Sequence, residues 1–148
     1  MISVEINTAI KDYFATLGAP YSNIPFLPLS AYDQTEAPFI LYFEYQETFN
    51  DEQWFLKNSN LMYYIYDNNI SRMKDIAHKL DLFLNVGDNV QEIVAQIEAP
   101  NEEYGQLRYR LRGSRKIAGS AFPPPEREGF ASQMLNFRVV YLDQDIEP

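Results

Sequence analysis

The chain has 148 residues, which suits one domain with its own core, and no cysteine, which excludes disulfides, thiolate chemistry and cysteine-ligated zinc. A net charge of −9 and a pI near 4.5 argue against an ordinary nucleic-acid binder, which needs cations to displace the counterions of phosphate. Aromatic residues make up 15%, with 11 Tyr and 10 Phe; most fit strands, and the excess leaves room for a surface that meets another protein.

No apolar run reaches the roughly 18 residues that cross a bilayer, so no membrane partner is expected. The opening MISVEINTAIKDYF has no basic leader, which predicts synthesis in the cytoplasm and makes the sequon Asn69-Ile70-Ser71 a coincidence.

Residues 4–17 place Ile6, Ala9, Ile10, Tyr13, Phe14 and Leu17 at helical spacing, with Glu5, Lys11 and Asp12 between them. That predicts an amphipathic helix ended by Gly18 and Pro20. The next segment carries Pro20, Pro25 and Pro28 and reads as loop, with a short extended piece over 24–29. PFILYFEYQET, residues 38–48, is β-branched and aromatic and predicts a strand. A turn over 49–52 leads to a second strand over 53–66, best over 60–66, with a bulge or widened bend at Asn58-Ser59-Asn60. The two strands should form an antiparallel hairpin. Both faces of 61–66 are apolar, so neither should be fully wet.

Asp67, Asn68 and Asn69 supply N-cap candidates for a helix over 69–85. Its stripe is Ile70, Met73, Ile76, Ala77, Leu80, Phe83 and Leu84, with Gly87 beyond its end. Val90, Ile93, Val94 and Ile97 in 90–99 fit either a short helix or an irregular strand. QLRYRLR, residues 106–112, sets Leu107, Tyr109 and Leu111 against Arg108, Arg110 and Arg112, a half-exposed strand. MLNFRVVYL, residues 134–142, closes the fold with Leu135, Phe137, Val139 and Tyr141 on one face, before an acidic frayed tail over 143–148. The expected architecture is a single two-layer α+β domain: an antiparallel sheet of about four strands, two helices on one face, and a projecting loop at about 113–133.

Little of this points to a reaction. His78 is the only histidine, so no two-histidine metal site exists, and its place on the second helix reads as surface. The acidic pairs Asp51-Glu52, Glu102-Glu103 and Glu126/Glu128 fall in turns and loops, where charge serves solubility. No phosphate loop, nucleophile elbow or zinc signature occurs. The expectation is no catalytic, cofactor-binding or metal site, and no cofactor.

The basic residues are different. Arg108, Arg110, Arg112, Arg115 and Lys116 put five of 12 cations into nine positions of an acidic chain, which favours pairing with carboxylates of a neighbouring copy. The loop that follows is far longer than a hairpin needs. Pro123, Pro124 and Pro125 stiffen it, with Pro-rich extension lowering the entropy lost on docking, and Ile117, Phe122 and Phe130 give it apolar anchors. These residues together are the predicted subunit interface, with the loop as a docking arm.

In layout the chain resembles the tail terminator, or tail-completion, proteins of tailed bacteriophages and the related head–tail joining neck proteins. The resemblance lies in the N-terminal helix, then PFILYFEYQ after a proline-bearing loop, then LMYYIYD running into NISRMKDIAHKLDLFLN. It ends with RLRGSRKIAGSAFPPPEREGFASQ before the closing MLNFRVVYLD. It implies a virion protein at the head–tail junction, a ring of six copies that caps the tail tube and meets the head connector. Tail tube protein and connector proteins would be its partners. Six copies of −9 bring about −54 to such a ring, and an acidic bore would let DNA pass without binding. The alternative is a small acidic adaptor or secretion-chaperone-like dimer, whose aromatic sheet receives a partner segment.

Overall fold

The computed structural model describes residues 2–30, 36–47, 56–91, 93, 109–117 and 125–143. Helix α1 spans Ile2–Leu17 and a 3-10 turn covers Tyr21–Asn23. Strands β1 (Phe26–Pro28), β2 (Phe39–Glu47) and β3 (Leu56–Asp67) follow, then helix α2 (Ile70–Leu84), β4 (Tyr109–Ile117) and β5 (Ala131–Asp143). The strands form one sheet in the order β1-β2-β3-β5-β4, and the domain is α+β.

Among the described residues the sheet has five strands where about four were expected, and it is mixed where it was expected to be antiparallel. The extra strand is the extended piece around Phe26, which pairs parallel to β2. Its prolines are tolerated because this is the sheet edge, where a missing N–H breaks no ladder. Pro25 gives only its carbonyl, to Ile40 N–H at 3.0 Å, and Leu29 N–H closes the far end on Tyr42 at 2.9 Å. β2 and β3 are antiparallel, as the sequence predicts.

No bulge interrupts β3 at Asn58-Ser59-Asn60, since that run stays in register with both β2 and β5. Ser59, which faces the helices, is absorbed by a buried network instead. Ser59 Oγ donates to Glu44 Oε2 at 3.1 Å and lies 2.9 Å from the Tyr141 hydroxyl. Glu44 Oε1 accepts the Ser3 N–H of α1 at 2.7 Å, placing a carboxylate at the positive end of the helix. One turn on, the Tyr63 hydroxyl donates to Asn7 Oδ1 at 2.7 Å. Burial, and then the nearby Glu44 charge, push the Tyr63 phenol well above its usual range.

Both helices lie on one face of the sheet. Ile6, Ile10 and Phe14 of α1 and Ile76, Leu80 and Leu84 of α2 share a cluster with Ile40, Leu61, Tyr63, Ile65, Phe137, Val139 and Tyr141. Tyr13 stacks on Phe83 at 4.6 Å between ring centroids and ties the helices together. Ile70, expected in the α2 stripe, is 57% exposed, because it is the first residue after the N-cap and its side chain falls outside the turn that packs.

Asn69 is that N-cap, its side chain accepting from Arg72 N–H. Asp67, fully buried, takes Arg72 Nε at 2.7 Å and Nη2 at 2.6 Å, and the Asn69 N–H at 3.1 Å. The three residues thus fix the angle at which β3 turns into α2.

Among the described residues the opposite face of the sheet carries no helix, and it is still apolar. Phe39, Leu41, Met62, Tyr64 and Tyr66 are buried there, with Leu27, Leu29, Phe130 and Met134 packed over them. Among the described residues no helix is long and apolar enough to cross a membrane.

Candidate interface

The described part of the predicted arm folds back onto its own sheet. β4 runs to Ile117 and β5 starts at Ala131, so 113–117 and 131–133 are strand and the connection is 118–130. The wider loop expected from Gly113 and Ser114 does not occur, because both are buried within β4. At the far end the Pro125 carbonyl accepts the Tyr66 hydroxyl at 2.8 Å, and Phe130 meets Phe39 edge-on at 5.5 Å. The Arg127 guanidinium lies over the Phe39 and Phe130 rings at 5.8 and 6.0 Å. The turn closes through Phe130 N–H on the Arg127 carbonyl, with Gly129 at φ 83°, a conformation open chiefly to glycine. Because Arg127 points inward, its neighbours Glu126 and Glu128 are left exposed on the outer side.

Burial is the main reason the Tyr66 phenol is pushed up to about 12; Arg127 opposes the rise and Tyr64 adds to it. Tyr66, Phe39, Arg127 and Phe130 therefore make a closed aromatic seat, with two glutamates on top. Phe122, Pro123 and Pro124 lie outside the described residues.

The basic stripe is divided by a bulge. Leu111 pairs with Tyr141 and Gly113 with Val140, leaving Arg112 without a cross-strand partner. Had the alternation run straight, Arg112 and Lys116 would share a face and Arg115 would oppose them. The extra residue reverses the pleat. Lys116 now stands opposite Phe137 on the helix side, its N–H held by Asn85 Oδ1 at 3.1 Å and its Nζ 3.7 Å from Asp81. Arg115 stands opposite Arg138 on the helix-free side, 66% exposed and 3.2 Å from Asp88. Arg112 is exposed beside it, and Ile117 is half-buried on the same side. Arg108 lies outside the described residues. Arg110 belongs to β4, and its side chain is not among those described.

Arg112, Arg115 and Arg138 border one shallow concavity of about 430 Å³, floored by Asn58, Gly113 and Val140. Arg138 comes from β5. Its part was legible in MLNFRVVYL, where the period of two sets it opposite Phe137 and Val139. Asp88 could not be found that way, because its approach depends on Gly87. The Gly87 N–H donates to the Ser114 carbonyl at 2.8 Å and Ser114 N–H returns to Gly87 at 2.9 Å, so the loop after α2 covers part of the β4 edge.

His78 is exposed on α2, and among the described residues no group of three or more His, Cys, Asp or Glu is placed to hold a metal ion. Ser59 has a carboxylate and a phenol for neighbours, but it is fully buried, which closes it to any substrate. Compared with known proteins, the chain matches no family model and no curated protein.

Proposed function

We propose that this protein is a structural, non-enzymatic virion subunit. It assembles as a ring of six copies at the head–tail junction of a tailed bacteriophage, caps the tail tube, meets the head connector and lets DNA pass through an acidic bore. The order α-β-β-β-α-β-β, with a long connection before the last strand, supports the reading because it preserves the layout on which the resemblance rests.

The observation that carries it is the segregation of charge. A chain with a net −9 gathers Arg112, Arg115 and Arg138 on the helix-free side at one edge of the sheet, where a neighbour's carboxylates would be recognised. A subunit with a cation patch in one place and anions elsewhere suits heterologous contacts, which close into a ring when the rotation allows.

The adaptor alternative draws less support. It needs an open edge or face to receive a segment. β1 is a three-residue edge ending in proline, Gly87 pairs with part of β4, and the second aromatic face is buried.

Light scattering and negative-stain microscopy of the purified chain test the reading. The expected result is a ring several-fold heavier than 17.3 kDa that binds the ends of tail tubes. A strictly monomeric protein that never joins particles would overturn it.

A further inference from the structure

The helix-free side of the sheet carries two features of opposite charge. At one end is the arginine concavity, which runs from the row of Asn58, Val140 and Gly113 to the row of Asn60, Arg138 and Arg115. At the other end is the turn over 125–130, seated on Phe39 and Tyr66. Glu126 and Glu128 stand out from that turn because Arg127 between them is drawn down onto the rings. The turn is thus a preformed acidic knob: Gly129, the Phe130–Arg127 hydrogen bond and the Tyr66–Pro125 hydrogen bond fix its backbone before any partner arrives.

Knob and concavity cannot meet within one molecule. Arg138 and Arg115 lie in the row of Asn60, six residues from Tyr66 along β3, on the order of 20 Å at about 3.3 Å per residue. Glutamate and arginine side chains do not bridge that distance. The concavity nevertheless already holds a carboxylate in its own chain: Asp88 sits 3.2 Å from Arg115, both side chains largely exposed. Such a surface pair is weak and exchanges readily, and it shows what chemistry the arginines accept. Phosphate is the poorer fit, because a chain this acidic repels a nucleic-acid backbone before three guanidinium groups can act.

Resting on the ring reading, we infer that the Arg112–Arg115–Arg138 concavity receives Glu126 and Glu128 of a second copy of this chain, and that this pairing sets which faces of adjacent subunits meet. Close charge pairs between partners govern encounter and register. Donor and acceptor occupy different places on the subunit, so each copy can give its knob to one neighbour and take a knob from another.

Charge reversal tests the pairing. Two double variants are made, Arg112→Glu with Arg115→Glu, and Glu126→Arg with Glu128→Arg, and the four changes are also combined in one chain. Sedimentation velocity is measured across a concentration series at low and high salt, with thermal melts to establish that each variant is folded. Arg112→Gln with Arg115→Gln serves as a milder substitute should the reversed cleft fail to fold. Each reversal should raise the concentration of half-assembly at least about tenfold, high salt should do the same to the wild type, and the combined chain should return to within about threefold.

An oligomer unmoved by either reversal overturns the pairing and leaves the ring reading standing. A folded wild type that is monomeric both in solution and with tail tubes removes both. Binding of a double-stranded DNA fragment by the wild type, lost in the arginine variants, would reassign the cleft to phosphate and overturn the pairing.

Discussion

The two faces of the sheet are buried by different means. Toward the helices, regular elements lay continuous apolar stripes against Ile40, Leu61, Phe137 and Val139, and Glu44, Ser59, Tyr63 and Asn7 are hydrogen-bonded within that layer. On the other side, among the described residues, Phe39 and Tyr66 lie under the turn over 125–130, which is held by its own backbone bond, a phenol-to-carbonyl bond and a stacked guanidinium. The first face belongs to the cooperative core. The second is a local closure that can loosen without unfolding the domain, and it is the one that shows charge to the outside.

The largest way to test that contrast is to hollow out the helix side. Phe137→Ala removes a fully buried ring between the helices and Tyr63 and should cost about 4 kcal/mol in denaturant melts, with loss of all tertiary signal at once. Next comes the joint between β3 and α2. Asp67→Ala takes two charge-assisted bonds and an N–H bond from Arg72 and Asn69 and should cost about 2 to 3 kcal/mol. Burial raises the Asp67 pKa, but the bonds from Arg72 and the backbone outweigh it, so the carboxyl titrates below the ordinary 3.8. The contribution is therefore complete above pH 4 and is lost as pH falls through the folded-state value, and acid titration of Asp67→Ala should show a shallower loss than the wild type.

Smaller effects should come from the turn. Phe130→Ala removes a half-buried ring and should cost about 1 to 2 kcal/mol. Hydrogen exchange should quicken around 125–132 and stay slow in Leu61 to Ile65; equal acceleration in both places would erase the distinction between the faces. Smallest is Tyr66→Phe, a single hydrogen bond to Pro125 of about 1 kcal/mol near neutral pH. Because the folded-state phenol titrates near 12 and the unfolded one near 10, its contribution is whole below pH 10 and fades between 10 and 12. The variant should accordingly lose less stability than the wild type across that alkaline interval.

The elements that were legible are those where periodicity and burial agree. The α2 stripe from Met73 to Leu84, the Asn69 cap, the β2–β3 hairpin and the two apolar faces of β3 all follow from local pattern. What escaped depends on pairing at a distance. Whether Asn58-Ser59-Asn60 bends the strand is decided by Glu44 and Tyr141, both far away in sequence. The side taken by Arg115 is decided by a bulge at Arg112, and alternating residues cannot reveal where the pleat slips. Phe130 was legible as an apolar anchor, but that its seat is Phe39 of the same chain follows only from the register Tyr66↔Ser132.

Among the described strands, the one that comes latest in chain order is the one that joins the sheet. β5 pairs along nearly its whole length with β3 on one side and, from Asn136 onward, with β4 on the other, and those two are not sheet neighbours of each other. The earlier strands can gather beforehand, but the two halves cannot be stitched until β5 has been made, and meanwhile β3 lacks the neighbour on that flank. The sheet therefore waits on its latest-made strand, and the interval before β5 emerges is the moment of greatest risk that nascent copies crowded on one messenger mispair.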